Sequence, residues 1–366
     1  MKSASPRLTL ALIARDEEPV IARCLESVRH IAMELIVVDT GSTDNTRDIA
    51  RKTGAKVLEF PWVDDFSAAR NASLDAATGQ WILALDADEY LPESSSKAIE
   101  RILTEVDDKH CAFHLLNKSS QDGGRSGMVG KIVRLFPNHP DIRYEWPVHE
   151  QVVTSIQRAN IPILDTDIEI IHTGYINAEV NRKKQSRNLR ILDAFMSSNP
   201  SSHPMVYFLQ GGALLDLGRP EEALAAYERC MTLVPASDSI HMGALVRRAN
   251  CLAELHRFEE IICLPPPAPA RQWHPELLVL HGHAEFMRGN RKTATELLCL
   301  VFDSPDTTSI PAYDPVRVRA RAIMMLAEIF EDSSPKASVT MLRLAKESLS
   351  TGRKIRLAEV LDLVFL

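Results

Sequence analysis

The residues of this sequence whose types and spacing could do chemistry are carboxylates that follow short apolar runs. Three such runs lead into acidic groups, which are Asp16-Glu17, Asp39 and Asp86-Ala87-Asp88. Clustered carboxylates repel one another and are costly to remove from water, so they need a cation or basic partners. Their oxygens are the ligands that hard cations such as Mg²⁺ or Mn²⁺ prefer. The pattern therefore indicates a divalent metal site, with Arg70 as a candidate basic partner.

The elements that must position these carboxylates alternate between strand and helix signals. Apolar runs predict strands at residues 8–14, 35–38, 56–60 and 81–85. Helical spacing between them predicts helices at residues 17–31, 44–53 and 66–78. This alternation implies parallel strands in an open sheet that is covered on both faces. Ligands bind beyond the carboxyl ends of such strands, where the acidic groups stand. Less regular strand signals follow at residues 112–116, 131–136 and 169–172.

The second half of the chain has almost no strand signal from about residue 182 onward and predicts helices. Residues 203–235 match the tetratricopeptide pattern at Tyr207, Gly211, Leu214, Gly218, Ala223, Tyr227 and Pro235. The small residues among them let two helices touch. Weaker copies follow at 253–260 and 287–294, and a further helix pair is predicted at 316–351. About three repeats suffice to bury a continuous core. A generic helical bundle is the alternative.

The composition is that of an ordinary globular protein. Hydrophobic residues make up 45% and charged residues 25% of the 366 residues, which allows two domains with a core each. The net charge of -7 argues against nucleic acid as the main partner, because phosphate backbones attract basic faces. We find no transmembrane segment and no signal-peptide segment in the sequence. The 6 cysteines form no CxxC pair, so we expect a reduced, cytoplasmic chain.

The Asp86-Ala87-Asp88 motif is a weak signal by itself. The same spacing occurs at Asp165-Thr166-Asp167, where it lacks the same setting. The first motif is distinguished by its position directly after a buried strand. A cation held there could bridge to a diphosphate and neutralise the charge that develops on a leaving nucleoside diphosphate. The alternative is that Asp88 only caps the following turn.

Taken together and in order, five motifs resemble those of the family 2 glycosyltransferases of the GT-A fold. They cover residues 37–46 (VVDTGSTDNT), 65–71 (DFSAARN), 85–89 (LDADE), 148–150 (VHE) and 171–175 (IHTGY). With tetratricopeptide-like repeats behind it, the domain resembles bacterial enzymes related to peptide S-glycosyltransferases. The domain alone also resembles lipopolysaccharide-core glucosyltransferases. We therefore expect a mostly parallel, Rossmann-like α/β GT-A domain at 1–180, a linking helix at 181–202 and an all-α TPR-like domain at 203–366.

The resemblance implies roles for residues near the nucleotide of the donor. Asp39 would accept a hydrogen bond from the N3–H of a uracil base. Residues around Ala14 and Glu17 would line the pocket for the base and the ribose. Ser42 belongs to the same donor-binding set. Asp86 would touch hydroxyls of the ribose or the sugar.

The resemblance also implies roles at the diphosphate. Arg70 would lie near the diphosphate and the sugar. Asp88 would ligate Mg²⁺ or Mn²⁺, and His172 would be a second protein ligand or a diphosphate contact. For a lone histidine near a strand end, a satisfied surface or core residue is the ordinary alternative. The presence of the other motifs favours the functional role here.

The catalytic base is predicted from the chemistry of an inverting transfer, which needs a group that takes the acceptor proton as the donor sugar departs. Many relatives use a carboxylate in the second half of the domain. Glu150, which follows Trp146-Pro147 and His149, is the first choice in this sequence. His149 would orient Glu150 or contact the donor. The alternative for Glu150 is a buried salt bridge with Arg134 or Arg143.

The leading hypothesis is an inverting transfer of a hexose from a UDP-sugar to an acceptor held between the catalytic cleft and the repeats. Repeat domains form concave surfaces that suit a peptide or protein acceptor, and a saccharide or lipid-linked acceptor is the alternative. An inactive, repeat-based interaction protein is a different class, disfavoured because every motif residue is present. A nucleotidyltransferase would need a Gly-rich loop, but residues 11–18 contain no glycine. A homodimer through the repeats is compatible with the resemblance.

Overall fold

The computed structural model describes residues 8–106, 111–121, 125–173, 178–199, 203–264, 270, 273–304 and 314–364. The chain divides into two compact units, Met1–Asn177 and Ala178–Leu366. The first unit is α/β and the second is helical, which confirms the predicted fold classes. The domain ranges 1–180, 181–202 and 203–366 stay predictions. Residues 174–177 and 200–202 at their boundaries lie outside the described residues.

The central part of the sheet is parallel. Its strands are β1 (Leu8–Ala14), β2 (Glu34–Asp39), β3 (Lys56–Glu59) and β4 (Trp81–Ala84). They pair in the order β3-β2-β1-β4, and every one of these pairings is parallel. Strands β1, β2 and β4 are buried almost throughout, which explains why they read as continuous apolar runs. The predicted parallel pairing is confirmed.

Helices connect these strands at the positions that the periodicity predicts. They are α1 (Ile21–Val28), α2 (Thr46–Lys52) and α3 (Phe66–Ala76), and α4 (Glu93–Glu105) follows β4 and a short strand. Helix α1 is shorter than the predicted range of 17–31, because the chain first makes a turn there. In that turn the carbonyl of Glu17 accepts from the amides of Val20 and Ile21. Helix α3 begins at the cap residue Asp65, whose carboxylate accepts from the amide of Ala68 over 3.0 Å.

The remaining strands make the sheet mixed. They are β5 (Glu89–Tyr90), β6 (Ala112–Gln121), β7 (Arg125–Pro137) and β8 (Ile163–His172), with α5 (Val153–Arg158) before β8. Within the described residues the sheet has 8 strands, in the order β3-β2-β1-β4-β7-β6-β8-β5. Strand β7 runs antiparallel to β4 and β6, and β8 runs parallel to β6 but antiparallel to β5. A mixed part of the sheet thus follows the predicted parallel core.

The sheet is covered on both faces, because alternate side chains of each strand point in opposite directions. Leu8, Leu10 and Leu12 of β1 pack on one face with α1 and α4. Ala11 and Ile82 pack on the other face with residues of α3 and α5. All five are at most 2% exposed. Full burial of a leucine stabilises the fold by about 1.5–3 kcal/mol, so this core fixes the strand ends that carry the acidic groups.

The second unit consists of antiparallel helical hairpins. It begins with α6 (Ala178–Ser198), continues with α7 (Pro204–Asp216), α8 (Pro220–Thr232), α9 (Ser239–Glu254), α10 (Phe258–Ile262), α11 (Pro275–Met287) and α12 (Arg291–Asp303), and closes with α13 (Pro315–Ile329), α14 (Pro335–Thr351) and α15 (Leu357–Val364). The predicted helix pair at 316–351 corresponds to α13 and α14. In the described part of the chain, no helix combines the length and the hydropathy needed to cross a membrane.

The helical hairpins share local structural features. A Cβ atom added to Gly211 would lie 2.7 Å from the Tyr227 ring, so the predicted contact of α7 with α8 at a small residue is confirmed. The turns inside successive hairpins contain a residue with positive φ, which is 73° at Gly218, 56° at His256 and 85° at Gly289. Equivalent backbone at equivalent positions supports the repeat interpretation over a generic bundle.

Candidate active site

The turn after β4 carries the acidic motif and is held at both ends. The amide of Glu89 donates to the carbonyl of Asp86 over 3.0 Å, and the amide of Asp86 donates to the Glu89 carboxylate over 2.8 Å. The thiol of Cys24 on α1 donates to the same Asp86 carbonyl over 3.4 Å. The Asp88 carbonyl accepts from the amide and the hydroxyl of Thr173, at 3.0 and 2.9 Å. The side chains of Asp86 and Asp88 therefore extend from a fixed backbone.

Asp88 and His172 meet because β5 pairs with β8. The ladder places Glu89 opposite His172, and Nδ1 of His172 lies 3.4 Å from Oδ1 of Asp88. The hydrogen bond with Asp88 raises the pKa of His172, although partial burial acts in the opposite direction. Gly174 and Tyr175, the last residues of the predicted fifth motif, lie outside the described residues.

The Asp88–His172 pair has the chemistry of a partial metal site. Atoms 3.4 Å apart can both reach one cation at the ~2.0–2.2 Å ligand distances of small divalent ions. Among the described residues, no group of three His, Cys, Asp or Glu side chains is arranged to hold a metal. Mg²⁺ typically binds one or two carboxylates and completes its shell with substrate phosphates and water. The residues present therefore fit a cation that is shared with a bound diphosphate.

Asp86 is held between two arginines. One carboxylate oxygen accepts from Arg70 on α3, and the other accepts from Arg134 on β7 over 2.7 Å. Burial opposes ionisation, yet the charges of Arg134 and Arg70 hold the pKa of Asp86 well below its usual range. The predicted pairing of Arg70 with the acidic cluster is confirmed. The contact of Asp86 with a sugar hydroxyl stays a prediction.

Arg70 joins the acidic motif to Glu150. Its Nε donates to Oε1 of Glu150 over 2.7 Å, and Arg70 itself is only 4% exposed. The salt bridge considered as the alternative for Glu150 thus exists, but its partner was wrongly predicted. It is Arg70 rather than Arg134 or Arg143, because those two arginines pair with other carboxylates.

The loop of residues 145–151, which carries the predicted base, is pinned in a strained conformation. The backbone φ is 78° at Trp146 and 56° at His149, a region that residues other than glycine rarely adopt. The start of α3 holds this loop, since the amide of Phe66 and the hydroxyl of Ser67 both donate to its carbonyls. The strain is therefore maintained by contacts with the helix that also carries Arg70.

Glu150 and His149 lie in different surroundings. The Glu150 side chain is 14% exposed and faces Arg70, whereas His149 is exposed. The fold therefore brings Glu150 into one cluster with Arg70 and Asp86 and leaves His149 at the surface. Their roles as base and as helper of the base stay predictions.

The loop after β2 is shaped by Asp39. This residue is 2% exposed, and its carboxylate accepts from the amides of Gly41 and Ser42, each at 3.1 Å. The Ser42 hydroxyl in turn accepts from the amide of Asp16, in the loop after β1, over 3.0 Å. The structure brings Asp39 and Ser42 together at the carboxyl edge of the parallel strands, as the sequence predicts.

Ala14 and Glu17 flank the same edge. Ala14 is 4% exposed, and its carbonyl accepts from the amide of Thr40 over 2.9 Å. The amide of Glu17 donates to the hydroxyl of Thr46 over 2.8 Å. Ala14 is therefore part of the wall beneath the loops, and Glu17 belongs to the loop itself. Their contacts with a donor stay predictions.

Arg134 and Glu89 are members of the site to which sequence reasoning assigned no role there. From the sequence, Arg134 is expected only as a partner of Glu150, and Glu89 only as the last residue of the acidic group that ends the predicted fourth strand. In the structure Arg134 donates to Glu89 over 3.1 Å, and Asn117 on β6 donates to the same carboxylate over 2.6 Å. The signal that could have found Arg134 is a charged residue inside the apolar strand segment 132–136.

Comparison with known families identifies the class of this domain. Residues 9–159 match the model of glycosyl transferase family 2. The motifs in those residues lie on β2 and β4 with the turns that follow them, at the start of α3 and in the loop 145–151. The first unit thus contains a family 2 glycosyltransferase domain, and the resemblance predicted from the motifs is confirmed.

The chain is similar to particular curated proteins over part of its length. The chain is 38% identical over 224 residues to a TPR repeat-containing protein of Synechococcus elongatus, which covers 59% of this chain and 54% of that protein. It is 26% identical over 232 residues to the SPbeta prophage-derived glycosyltransferase SunS of Bacillus subtilis, which covers 61% and 53% respectively. The match thus spans about half the length of each relative.

Solved structures show weaker likeness. Staphylococcus aureus TarS 1-349 in complex with UDP-GlcNAc has a TM-score of 0.44 and 15% identity, covering 77% of this chain and 92% of that chain. Glucosyl-3-phosphoglycerate synthase from Mycobacterium tuberculosis in complex with Mn²⁺ and UDP-glucose has a TM-score of 0.36 and 18% identity, covering 52% and 78%. At these scores the likeness carries no argument about substrate or mechanism.

Proposed function

We propose that this chain is an inverting glycosyltransferase that moves a hexose from a UDP-sugar to an acceptor. The observation that carries the proposal is the Asp88–His172 pair, whose facing atoms are 3.4 Å apart in a family 2 domain. The neighbouring Arg70 and Asp86 add a buried cation and a held carboxylate at the same edge. A nucleoside diphosphate needs such a combination of metal ligands and basic groups.

The donor is held by three groups of residues in this proposal. Asp88 and His172 bind Mg²⁺ or Mn²⁺, which supplies neutralisation of the charge on the departing diphosphate. Arg70 lies near the diphosphate and the sugar. Its guanidinium connects Asp86, in the turn that carries Asp88, with Glu150, the proposed catalytic base. Asp39, buried in its loop, supports recognition of the uracil base.

Glu150 is the proposed base. As the bond between the sugar and UDP breaks, the acceptor atom forms a new bond on the opposite face of the sugar. The acceptor proton passes to the Glu150 carboxylate, and UDP leaves with the electron pair of the broken bond. The Arg70 guanidinium, 2.7 Å from Oε1, fixes the orientation in which Glu150 meets the acceptor.

The acceptor is proposed to be a peptide or protein. The helical hairpins of the second unit support this, because stacked repeats form concave surfaces that suit extended chains. A saccharide or lipid-linked acceptor is the alternative, and a homodimer through the repeats and a cytoplasmic location are further expectations. The two acceptor classes are separated by offering each with the same labelled donor.

The test is a thermal-shift experiment with nucleoside diphosphates in the presence and absence of Mn²⁺. A ligand at 100 times its Kd stabilises the folded state by about 2.7 kcal/mol, so UDP with Mn²⁺ should clearly raise the Tm. Asp88→Ala should abolish that shift. Asp167→Ala is the matched control, since Asp167 has the same place in the second Asp-x-Asp sequence but is exposed on β8. A wild-type chain that no nucleoside diphosphate stabilises would contradict the proposal.

A further inference from the structure

Arg134 is a buried arginine in a strand that is otherwise apolar around it. It is 5% exposed, and its Nη2 donates both to Oδ2 of Asp86 over 2.7 Å and to Oε1 of Glu89 over 3.1 Å. Its Nε has no hydrogen-bond partner among the described residues. Burying a charged group is costly, and a well-packed apolar residue in its place is often neutral or stabilising. Stability alone therefore does not account for an arginine here.

The partner Glu89 is more deeply buried than Asp86. It is 1% exposed, and burial raises its pKa while the charge of Arg134 acts to lower it. Its carboxylate also accepts from Asn117 over 2.6 Å and from the amide of Asp86 over 2.8 Å. Glu89 thus uses its carboxylate to close the turn from the inside, with Arg134 as its charge partner.

The two arginines at Asp86 have separate contacts. Arg70 reaches from Asp86 to Glu150, the proposed base. Arg134 reaches from Asp86 to Glu89, and these residues are the first and last of the turn whose middle carries Asp88. A bond across the two ends of a turn restricts the backbone between them. The side chain that this backbone presents is the proposed metal ligand, 3.4 Å from His172.

We propose that Arg134 is a positioning residue of the donor site, which bridges Asp86 and Glu89 and thereby fixes the turn that presents Asp88 to the metal and the diphosphate. The inference rests on the proposed function and adds a residue to it. Replacing a residue that orients metal ligands typically changes the metal affinity by about 10–100-fold. We expect an effect of that size on the binding of UDP with Mn²⁺, without any contact between Arg134 and the ligand.

The experiment compares Arg134→Lys, Arg134→Met and the double variant Arg134→Met/Glu89→Gln. Three quantities are measured: the Tm without ligand, the Kd for UDP with Mn²⁺ by calorimetry, and the kcat and KM for hydrolysis of UDP-glucose. Arg143→Met is the control, because Arg143 is a partly exposed arginine outside the acidic cluster that pairs with Asp75 over 3.2 Å.

Arg134→Met should lower the Tm, because it leaves the Glu89 carboxylate buried without its charge partner. The double variant should recover much of that Tm, because an amide at position 89 carries no charge. Its Kd for UDP with Mn²⁺ should nevertheless stay about 10–100-fold weaker than that of the wild type. Arg134→Lys should also weaken binding and raise KM, because one ammonium group does not reproduce the geometry of the guanidinium bridge.

Two results would overturn the inference. If the Kd of the double variant recovers together with its Tm, Arg134 only compensates the buried charge of Glu89. If Arg134→Lys or Arg134→Met binds UDP with Mn²⁺ as tightly as the Arg143→Met control, the bridge does not position Asp88. A wild-type chain that binds no UDP contradicts the proposed function itself, and the inference then fails with it. This outcome is recognised from the wild type, before any variant is compared.

Discussion

Replacing Glu150 by glutamine separates the proposed base from its structural role. The glutamine side chain keeps the shape, and its amide oxygen can still accept from Nε of Arg70, which is 2.7 Å from Oε1 in the structure. What it loses is the negative charge and the ability to take a proton. A positioned base contributes about 10²–10⁴-fold, which corresponds to about 2.7–5.4 kcal/mol of activation free energy. We expect kcat to fall by that factor.

The stability of the Glu150→Gln variant should change less than its rate. Arg70 keeps its ion pair with Asp86, and the Glu150 side chain is 14% exposed, so the lost charge leaves no isolated buried group. Weakening the charge-assisted hydrogen bond from Arg70 costs at most about 1.5–3 kcal/mol, which lowers the Tm without unfolding the chain. The Kd for UDP with Mn²⁺ should change less than the rate, because Glu150 is not a proposed metal ligand.

The assay is the hydrolysis of UDP-glucose in the presence of Mn²⁺, followed in parallel with calorimetry of UDP binding. Glu145→Gln is the matched control, because Glu145 lies in the same loop but pairs with the exposed Arg158 over 2.9 Å. The control should hydrolyse the donor at nearly the wild-type rate. If Glu150→Gln also turns over near normally, Glu150 is only the ion-pair partner of Arg70 and the base lies elsewhere.

Two further predictions concern the competition of protons with the metal at His172 and the packing of helices α7 and α8. The contact with Asp88 raises the pKa of His172 above its ordinary value of 6.5. In the absence of ligand, the ion pair is therefore present below that raised pKa while Asp88 is ionised, and it is lost as pH rises through that pKa, whereas metal binding needs the neutral ring. Calorimetry should show weaker binding of UDP with Mn²⁺ as pH falls through the same range, and a flat profile would contradict His172 as a ligand. In the helical unit, Gly211→Ala places a Cβ atom 2.7 Å from the Tyr227 ring and should cost about 1–3 kcal/mol. Gly212→Ala, whose Cβ would be 3.8 Å from the Tyr227 hydroxyl, should keep the Tm nearer to the wild-type value in thermal unfolding.

The parallel core was predictable because three of its strands, β1, β2 and β4, are buried on both faces. Residues 35–38 and 81–85 read as continuous apolar runs, and their partners in the sheet follow from the helices between them. The acidic groups that follow the runs then had to meet at one edge. This reasoning needs only local patterns and the rule that parallel strands end on the same side.

The second half of the sheet was harder to predict from the sequence, for a physical reason. Strand β8 has buried positions only in its second half, and its exposed or partly exposed first half contains the polar residues Asp165-Thr166-Asp167. Only its last residues, 169–172, were predicted as a strand. Strand β5 has 2 residues and forms only because β8 lies beside it. Such strands form by pairing with strands that are distant in sequence, and the local hydrophobic pattern does not reveal this pairing.

The residue types of the site were predictable, but their partners were not. Arg70 was expected near the carboxylates because it stands in a motif between two strands. That Glu150 pairs with Arg70 rather than with Arg134 or Arg143 depends on where the loop 145–151 meets α3. The loop contacts α3 because its backbone φ is positive at Trp146 and His149, and no pattern in the sequence predicts these φ values.

The distribution of charge suggests how Arg134 could have been expected from the sequence. Carboxylates brought together at a buried edge require cationic partners, since an uncompensated buried charge is costly. Arg70 alone cannot serve Asp86, Glu89 and Glu150 at once. Arg134 supplies a second buried cation, and it interrupts the apolar run of β7, which pairs with β4. An arginine inside an apolar strand is therefore informative when acidic motifs stand at the neighbouring strand end. It identifies both the strand that lies beside the motif and the charge that the motif needs.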